Sequence, residues 1–318
     1  MPTQSAKVGP EVDKTTTARI VIVVVAFDRT VALQRLLASL SKVILPPRAQ
    51  IDTVISIDYS PKQQEVLRSA QACLPQLQNA MVIAHPTNLG LKQHVLKCGD
   101  LVENYDYVLM LEDDLCVSPF ILVWLELVSA GLKSCKSSKN VAQISTYSPR
   151  VNETSKQPFF PMSVGSTFYA QLPSSWGQAW DRKNWFKFRR WLEAPTNRKP
   201  LPTNVARWST RSWKKLFTQY LVDTNLFVIY PVTALSTNFG DPGQHQMGSS
   251  QYQSPLELQY PHVGVQEICE AMTYDAWLDP YPESLALLSE DLKGYNFVCN
   301  FTLDKYTPPG TWELSPIK

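Results

Sequence analysis

Hydrophobic positions along the first half of the chain alternate between two periods. Residues 20–27 read Ile-Val-Ile-Val-Val-Val-Ala-Phe, an unbroken run, mostly β-branched, that predicts a strand buried on both faces. Leu33, Leu36, Leu37 and Leu40 then recur at helical spacing. The same exchange repeats, with strands expected over 53–57, 81–84, 107–111 and 141–144. Helices are expected over 61–73, 88–102 and 119–132. Strands separated by helices imply an α/β fold with a mainly parallel central sheet, right-handed crossovers and flanking helices. In such sheets ligands bind beyond the carboxyl ends of the strands.

After Tyr147 the alternation breaks down, and Pro, Ser and aromatic residues become frequent. Helices are expected over 177–192 and 209–221, and a strand over 227–235. Residues 238–254 are rich in Gly, Gln and Ser, the composition of a mobile loop. The pattern divides the chain into a flexible segment 1–18, an α/β half 19–146, a second half 147–258 carrying a lid loop, and an accessory segment 259–318 with the weakest signal.

Composition narrows this modestly. The 318 residues are 44% hydrophobic and 18% charged, which suits a globular enzyme with a sizeable core. A net charge of +2 indicates no general polyanion binding, so no nucleic-acid partner is expected. Six cysteines stand without CxxC or CxC spacing, so neither a zinc site nor a disulfide framework is expected, and Cys116 reads as a core residue. The first eighteen residues are polar, so no signal peptide is expected, and the longest apolar run is far short of the roughly 20 residues of a membrane helix. A cytoplasmic location is the expectation, with the luminal domain of a secretory-pathway enzyme as the alternative. Asn152-Glu153-Thr154 and Asn300-Phe301-Thr302 match the glycosylation sequon, a triplet that often arises by chance.

The chemistry concentrates at strand ends. Glu112-Asp113-Asp114 follows the apolar Tyr107-Val-Leu-Met-Leu111, and three acids there favour a divalent cation, Mn²⁺ or Mg²⁺, with a diphosphate supplying further oxygens. The alternative is an acidic turn before the helix at Pro119. Ala26-Phe27-Asp28-Arg29-Thr30 ends the first strand and opens a helix whose N–H groups suit phosphate, with Arg29 a diphosphate or base contact and Asp28 otherwise an N-cap. Asp58 ends the second strand, as a uracil contact or a turn residue. Lys92 and His94, in the helix opened by Asn88-Leu-Gly90, face the nucleotide or are a solvated Lys and a packed His. Trp176, Gly177 and Trp180 offer an acceptor wall or a helix start with two core tryptophans. His245 lies on the presumed lid, placed to meet diphosphate or metal on closure.

Leu111-Glu112-Asp113-Asp114-Leu115 through Val117-Ser118-Pro119, with Asp28-Arg29 and Asp58 upstream, resembles the GT-A N-acetylglucosaminyltransferases of N-glycan branching. The Ser175–Trp180 and Ser236–Gly240 stretches are similar to a bacterial glycan-assembly branch of that fold. The resemblance spans roughly residues 19–247 and implies a UDP-sugar donor, a glycan or glycolipid acceptor and Mn²⁺ on Asp114. It places Glu112 and Asp113 near the sugar or the metal's water shell, and Arg29 and Asp58 on the nucleotide. A lipid-linked acceptor would bring peripheral membrane contact. Inverting members carry an Asp before a Trp as general base, whereas Val205-Ala-Arg207-Trp208-Ser-Thr-Arg-Ser-Trp213 holds no acid. Asp181, beside Trp180, is the nearest substitute. A sugar nucleotidyltransferase would carry a Gly-rich loop after the first strand, which Val24–Arg29 lacks, and a non-catalytic nucleotide-sugar-binding module is the remaining alternative.

Overall fold

The α/β pattern read from the first half is what forms. A computed structural model describes residues 18–135, 140–163, 165–194, 198–241 and 251–316. In chain order the elements of the first half are β1 (Ala18–Ala26), α1 (Thr30–Leu40), β2 (Ala49–Ile57), α2 (Gln63–Cys73), β3 (Ala80–Ala84), α3 (Gly90–Gly99), β4 (Tyr107–Glu112), β5 (Leu115–Val117), α4 (Ile121–Ser134) and β6 (Val141–Ser145). The second half adds β7 (Thr167–Ala170), β8 (Gln178–Asp181), α5 (Arg182–Glu193), α6 (Thr203–Ala206), α7 (Trp213–Thr224), β9 (Phe227–Pro231) and β10 (Ser236–Asn238). The last part contributes α8 (Val265–Cys269), β11 (Met272–Tyr274), α9 (Pro282–Ala286), β12 (Phe297–Cys299) and β13 (Trp312–Leu314).

Nine strands make one mixed sheet in the order β11-β7-β9-β6-β8-β4-β1-β2-β3. Pairing is parallel through β3, β2, β1 and β4, while β8 runs antiparallel to both its neighbours, β4 and β6. The period-2 geometry of a strand sends alternate side chains to opposite faces. Along β1, Ile20, Ile22 and Val24 enter the core with α1 and α4, whereas Val21, Val23 and Val25 enter the core with α3, α5 and α7. Both faces of β1 are therefore covered, which is why its run is continuous rather than alternating.

Three expectations change in the second half. Residues 178–181, expected within a helix, form β8, and the helix begins only at Arg182. The expected strand 227–235 ends at Pro231 as β9, and a separate strand beyond it, β10, pairs with β5 outside the main sheet. The accessory segment is partly integral, since β11 adds the outermost strand beside β7.

No disulfide framework is expected from the sequence, and the described residues hold a single long-range bond. Cys135, at the end of α4, is bonded to Cys269, at the end of α8, with Cα atoms 5.8 Å apart. The two are 134 residues apart, so no local spacing announces the pair. Among the described residues no helix is long and apolar enough to cross a membrane.

Candidate active site

Register brings the strand ends together. Ala26 pairs with Ile57 across β1 and β2, and Val25 pairs with Glu112 across β1 and β4. The next amides continue both pairings, Asp58 N–H to Ala26 O at 3.0 Å and Asp113 N–H to Val25 O at 3.1 Å. Ala26, Asp28, Arg29, Asp58, Glu112, Asp113 and Asp114 consequently line one cavity of about 440 Å³, joined by Gly90 and His94 from α3. Seven residues read from three separate strand ends meet where a parallel sheet binds ligands.

The triplet is organised by Arg29. Its guanidinium is ion-paired with Asp113 and donates from Nη1 to Asp114 Oδ2 at 2.8 Å. Asp113 also accepts the Phe27 N–H at 3.2 Å, tying the β1 end to the acidic turn. Burial pushes the Glu112 carboxyl up to about 8, with the Asp114 charge adding and Arg29 opposing. Burial likewise pushes Asp113 up to about 6 against the pull of Arg29. For Arg29, burial works to lower its pKa, but the charges of Asp113 and Asp114 outweigh it and hold it above the ordinary arginine value. Phe239 N–H bonds Asp114 O at 3.0 Å, so β10 fixes the far side of the turn.

Asp58 is buried, and its carboxylate accepts the Tyr59, Leu89 and Gly90 N–H groups at 2.9, 2.8 and 3.0 Å. It fastens the first turn of α3, a use closer to the turn reading than to a base contact. His94 and His85 both bond Ser56 Oγ, at 2.8 and 3.1 Å. Burial lowers the His94 pKa to about 4, opposed by Asp58, so the ring is neutral at the cavity wall.

Sequence reasoning missed much of the other wall. Glu153, Lys156, Trp208, Lys214 and Tyr252 line the cavity with Trp176. They come from a loop, from α7 and its approach, and from beyond residue 250, so no spacing rule joins them. The one available signal was Trp208-x₅-Lys214 in the acid-free stretch before α7. Of the aromatic wall anticipated from 176–180, Trp176 alone lines the cavity.

Several expected residues stand elsewhere. Trp180 is buried in the aromatic core, 4.8 Å from Trp185 and 4.4 Å from Phe217 between ring centroids, because β8 turns it inward. Asp181 faces Tyr107 across β8 and β4, at the opposite end of β4 from Glu112. Five residues of strand separate the two, on the order of 16 Å, and Asp181 caps α5 by accepting Asn184 N–H at 2.8 Å. It cannot serve as base at the triplet. Gly177 has φ of +101° and is packed against Thr146 and Ser236, whose hydroxyls a Cβ would strike, so the bare position admits protein rather than substrate. Lys92 does not line the cavity. His245 lies outside the described residues. Both sequon asparagines are buried and bonded, Asn152 Nδ2 to Trp277 O at 2.7 Å and Asn300 Nδ2 to Lys305 O at 3.2 Å, which disfavours their modification in the folded chain.

A divalent ion fits the donor set in one specific manner. Asp114 Oδ1 is buried with no hydrogen-bond partner, as is Oδ1 of Asn238 on β10. Among the described residues no group of three His, Cys, Asp or Glu side chains is placed to enclose an ion. The protein would thus contribute a single carboxylate oxygen, from Asp114, with diphosphate oxygens and water completing the shell, as Mg²⁺-like ions accept.

No protein-family model matches the chain, and no curated protein matches it by sequence. Among solved structures, S. aureus TarS 1–349 is 16% identical with a TM-score of 0.41, over 67% of this chain and 60% of that one. The same protein in complex with UDP-GlcNAc gives 16% and 0.40, over 67% and 58%. The mannosyltransferase PcManGT from Pyrobaculum calidifontis, in complex with GDP-Man and Mn²⁺, gives 13% and 0.37, over 57% and 48%. The chain spans about 60% of the length of the TarS chain it matches. At such identities and TM-scores the likeness establishes neither activity nor ligand.

Proposed function

We propose that the chain is a metal-dependent glycosyltransferase of GT-A type, moving a sugar from a nucleotide-diphosphate donor, a UDP-sugar, to a hydroxyl of a glycan or glycolipid with inversion. The observation that carries this reading is the meeting of Arg29, Asp58 and the Glu112-Asp113-Asp114 turn at the carboxyl ends of three adjacent parallel strands, around one cavity. A diphosphate needs positive charge or a cation, and the site offers both a guanidinium and a carboxylate oxygen without a partner.

Asp114 would hold Mn²⁺ or Mg²⁺, which supplies Lewis-acid stabilisation of the charge gathering on the leaving diphosphate. Arg29 orients Asp113 and Asp114, and Asp58 fixes the start of α3 beside the nucleotide. Neutral His94 presents a wall that does not compete with the metal for charge. The β1–α1 turn, Ala26-Phe27-Asp28-Arg29-Thr30, has no glycine to wrap a triphosphate, so a nucleotidyltransferase is disfavoured.

The test is release of nucleotide from UDP-GlcNAc, UDP-glucose, UDP-galactose and GDP-mannose, with Mn²⁺ and with EDTA. Release from at least one donor, in Mn²⁺ only, is the expected outcome. Nucleotide binding without any release would reduce the chain to a binding module, and no binding would remove the reading altogether.

A further inference from the structure

The cavity has two chemically different walls. On the strand-end side Asp58 is held by three backbone amides and Asp113 and Asp114 are paired with Arg29, beside Asp28 and Glu112. Asp241, at the rim, is ion-paired with Arg35 of α1. The facing wall carries one carboxylate, Glu153, set among three aromatic rings and two lysines. We propose that this wall, formed by Glu153, Lys156, Trp176, Trp208, Lys214 and Tyr252, is the subsite for a saccharide acceptor, and that Glu153 takes the proton from its hydroxyl. The proposal rests on the glycosyltransferase reading and adds to it the place of the acceptor and the base.

The placement of Glu153 is over-determined. Asn152 Oδ1 accepts the Thr154 N–H at 2.9 Å and its hydroxyl at 2.7 Å, and Asn152 N–H bonds Gln157 O at 2.8 Å. That closed loop holds Lys156 at φ of +62°, a left-handed conformation uncommon for a lysine, and directs both charged residues of the loop into the cavity. Lys214 Nζ then bonds both Glu153 oxygens, at 2.7 and 2.6 Å, from a position 5.9 Å from the Trp176 ring and 5.2 Å from the Trp208 ring. The carboxylate is thereby anchored beside two indoles. Aromatic faces receive the apolar faces of pyranose rings, and an adjacent carboxylate and ammonium serve the hydroxyls at their edges. Among the described residues lining the strand-end side, no tryptophan or tyrosine occurs.

The step balances without a further reactant. An acceptor oxygen forms a bond to the anomeric carbon of the donor while the bond from that carbon to the diphosphate breaks. The bonding pair leaves with the diphosphate, and the acceptor's proton passes to the Glu153 carboxylate.

Glu153 and Lys214 also make a strut between the loop and α7, so the experiment must separate strut from base. UDP and GDP binding is read by thermal shift, and turnover by nucleotide release from the same donors, with water and with methyl pyranosides as acceptors. Glu153→Gln is expected to keep the nucleotide-induced shift and the donor KM while kcat falls by about 100-fold or more. Lys214→Met, which breaks the strut but retains the carboxylate, is expected to lose less than about tenfold in kcat, and Trp208→Ala to raise KM for the pyranoside. The proposal is overturned if Glu153→Gln stays within about threefold of wild type, or if the two strut variants lose kcat equally. A wild type that binds nucleotide yet releases none from any donor, or that binds neither nucleotide, refutes the transferase reading itself. That outcome is distinct from a turning-over wild type whose Glu153→Gln variant is unimpaired.

Discussion

Arg29 and Asp114 are joined by a 2.8 Å hydrogen bond from Nη1 to Oδ2, and the other oxygen of that carboxylate is buried without a partner. A buried acceptor left unpaired costs free energy, so its persistence at a cavity wall marks a place for a ligand. Asp113, by contrast, is satisfied by Arg29 and the Phe27 amide.

Asp114→Ala should therefore abolish the effect of Mn²⁺ on UDP binding while leaving Arg29 held by Asp113. In the wild type Mn²⁺ is expected to tighten UDP binding by about tenfold or more, equivalent to roughly 1.4 kcal/mol. Isothermal titration with Mn²⁺ and with EDTA decides it. Equal affinity in both conditions for the wild type, or an undiminished Mn²⁺ effect in the variant, rejects Asp114 as the ligand.

The strand-end half of this site was legible in the sequence because its causes are local. A strand buried on both faces writes itself as a continuous β-branched run, and the first polar residues after it, Asp28-Arg29 and Glu112-Asp113-Asp114, must lie at its end. Glu153, Trp208 and Lys214 were not legible, since their meeting depends on a loop and a helix some 60 residues apart, fixed only by tertiary packing. Trp176 and Trp180 separate for a different reason. A helix is expected over 177–192, but Trp180 lies in β8, whose period of two turns it into the core. Asp181 stands beside Trp180 in sequence, and nearness in sequence does not bring it to the cavity.

Asp181→Ala tests that correction directly. Loss of an N-cap carboxylate typically costs about 1 kcal/mol, so the variant should melt a few degrees lower. Its kcat should stay within about twofold of wild type, because nothing at the cavity depends on it. A fall of about 100-fold with an unchanged melting temperature would restore Asp181 as the base.

His94 supplies a pH dependence of known sign. Burial depresses its folded pKa to about 4 from an ordinary 6.5, so between those values the unfolded chain binds more protons than the folded one. The neutral ring's contribution is complete above pH 6.5 and is lost as pH falls toward 4, by on the order of 3 kcal/mol in full. Glu112 and Asp113, with raised folded pKa values, act in the opposite sense, since their stability rises as pH falls from about 8 and about 6. The wild-type curve is therefore a sum, and the difference from His94→Gln isolates the histidine. Chemical denaturation from pH 4 to 8 should show the variant losing less stability than the wild type below pH 6.5. Parallel curves would mean that the ring titrates normally in the fold.

Gly177→Ala should be among the most damaging single-methyl changes. The added Cβ would meet Thr146 Oγ1 and Ser236 Oγ, which bond each other at 2.7 Å, and the backbone φ of +101° disfavours any side chain. A loss of about 2–4 kcal/mol is expected from overpacking and strain together. Ser236 also donates to Trp176 O at 2.6 Å, so the damage should extend to the cavity and weaken pyranoside binding along with thermal stability. A variant as stable as wild type would show that this turn yields where the packing says it cannot.

The Cys135–Cys269 bond links α4 to α8 across 134 residues, and with it anchors the segment that carries β11 to the sheet. Closing so long a loop restricts the unfolded chain, and the chain-entropy model assigns such a link about 4–5 kcal/mol. The double variant Cys135→Ser, Cys269→Ser should accordingly melt well below the wild type, and dithiothreitol should lower the wild type alone. Thiol titration in denaturant provides the direct count: four reactive thiols without reductant, from Cys73, Cys98, Cys116 and Cys299, and two more after reduction. The count also bears on where the chain works. A cytosolic pool of glutathione and thioredoxin would keep such a pair reduced in most organisms. Protein isolated under thiol-blocking conditions with all six cysteines free would favour the cytoplasmic expectation and remove the bond as a source of stability. Four free thiols would instead favour folding in an oxidising compartment.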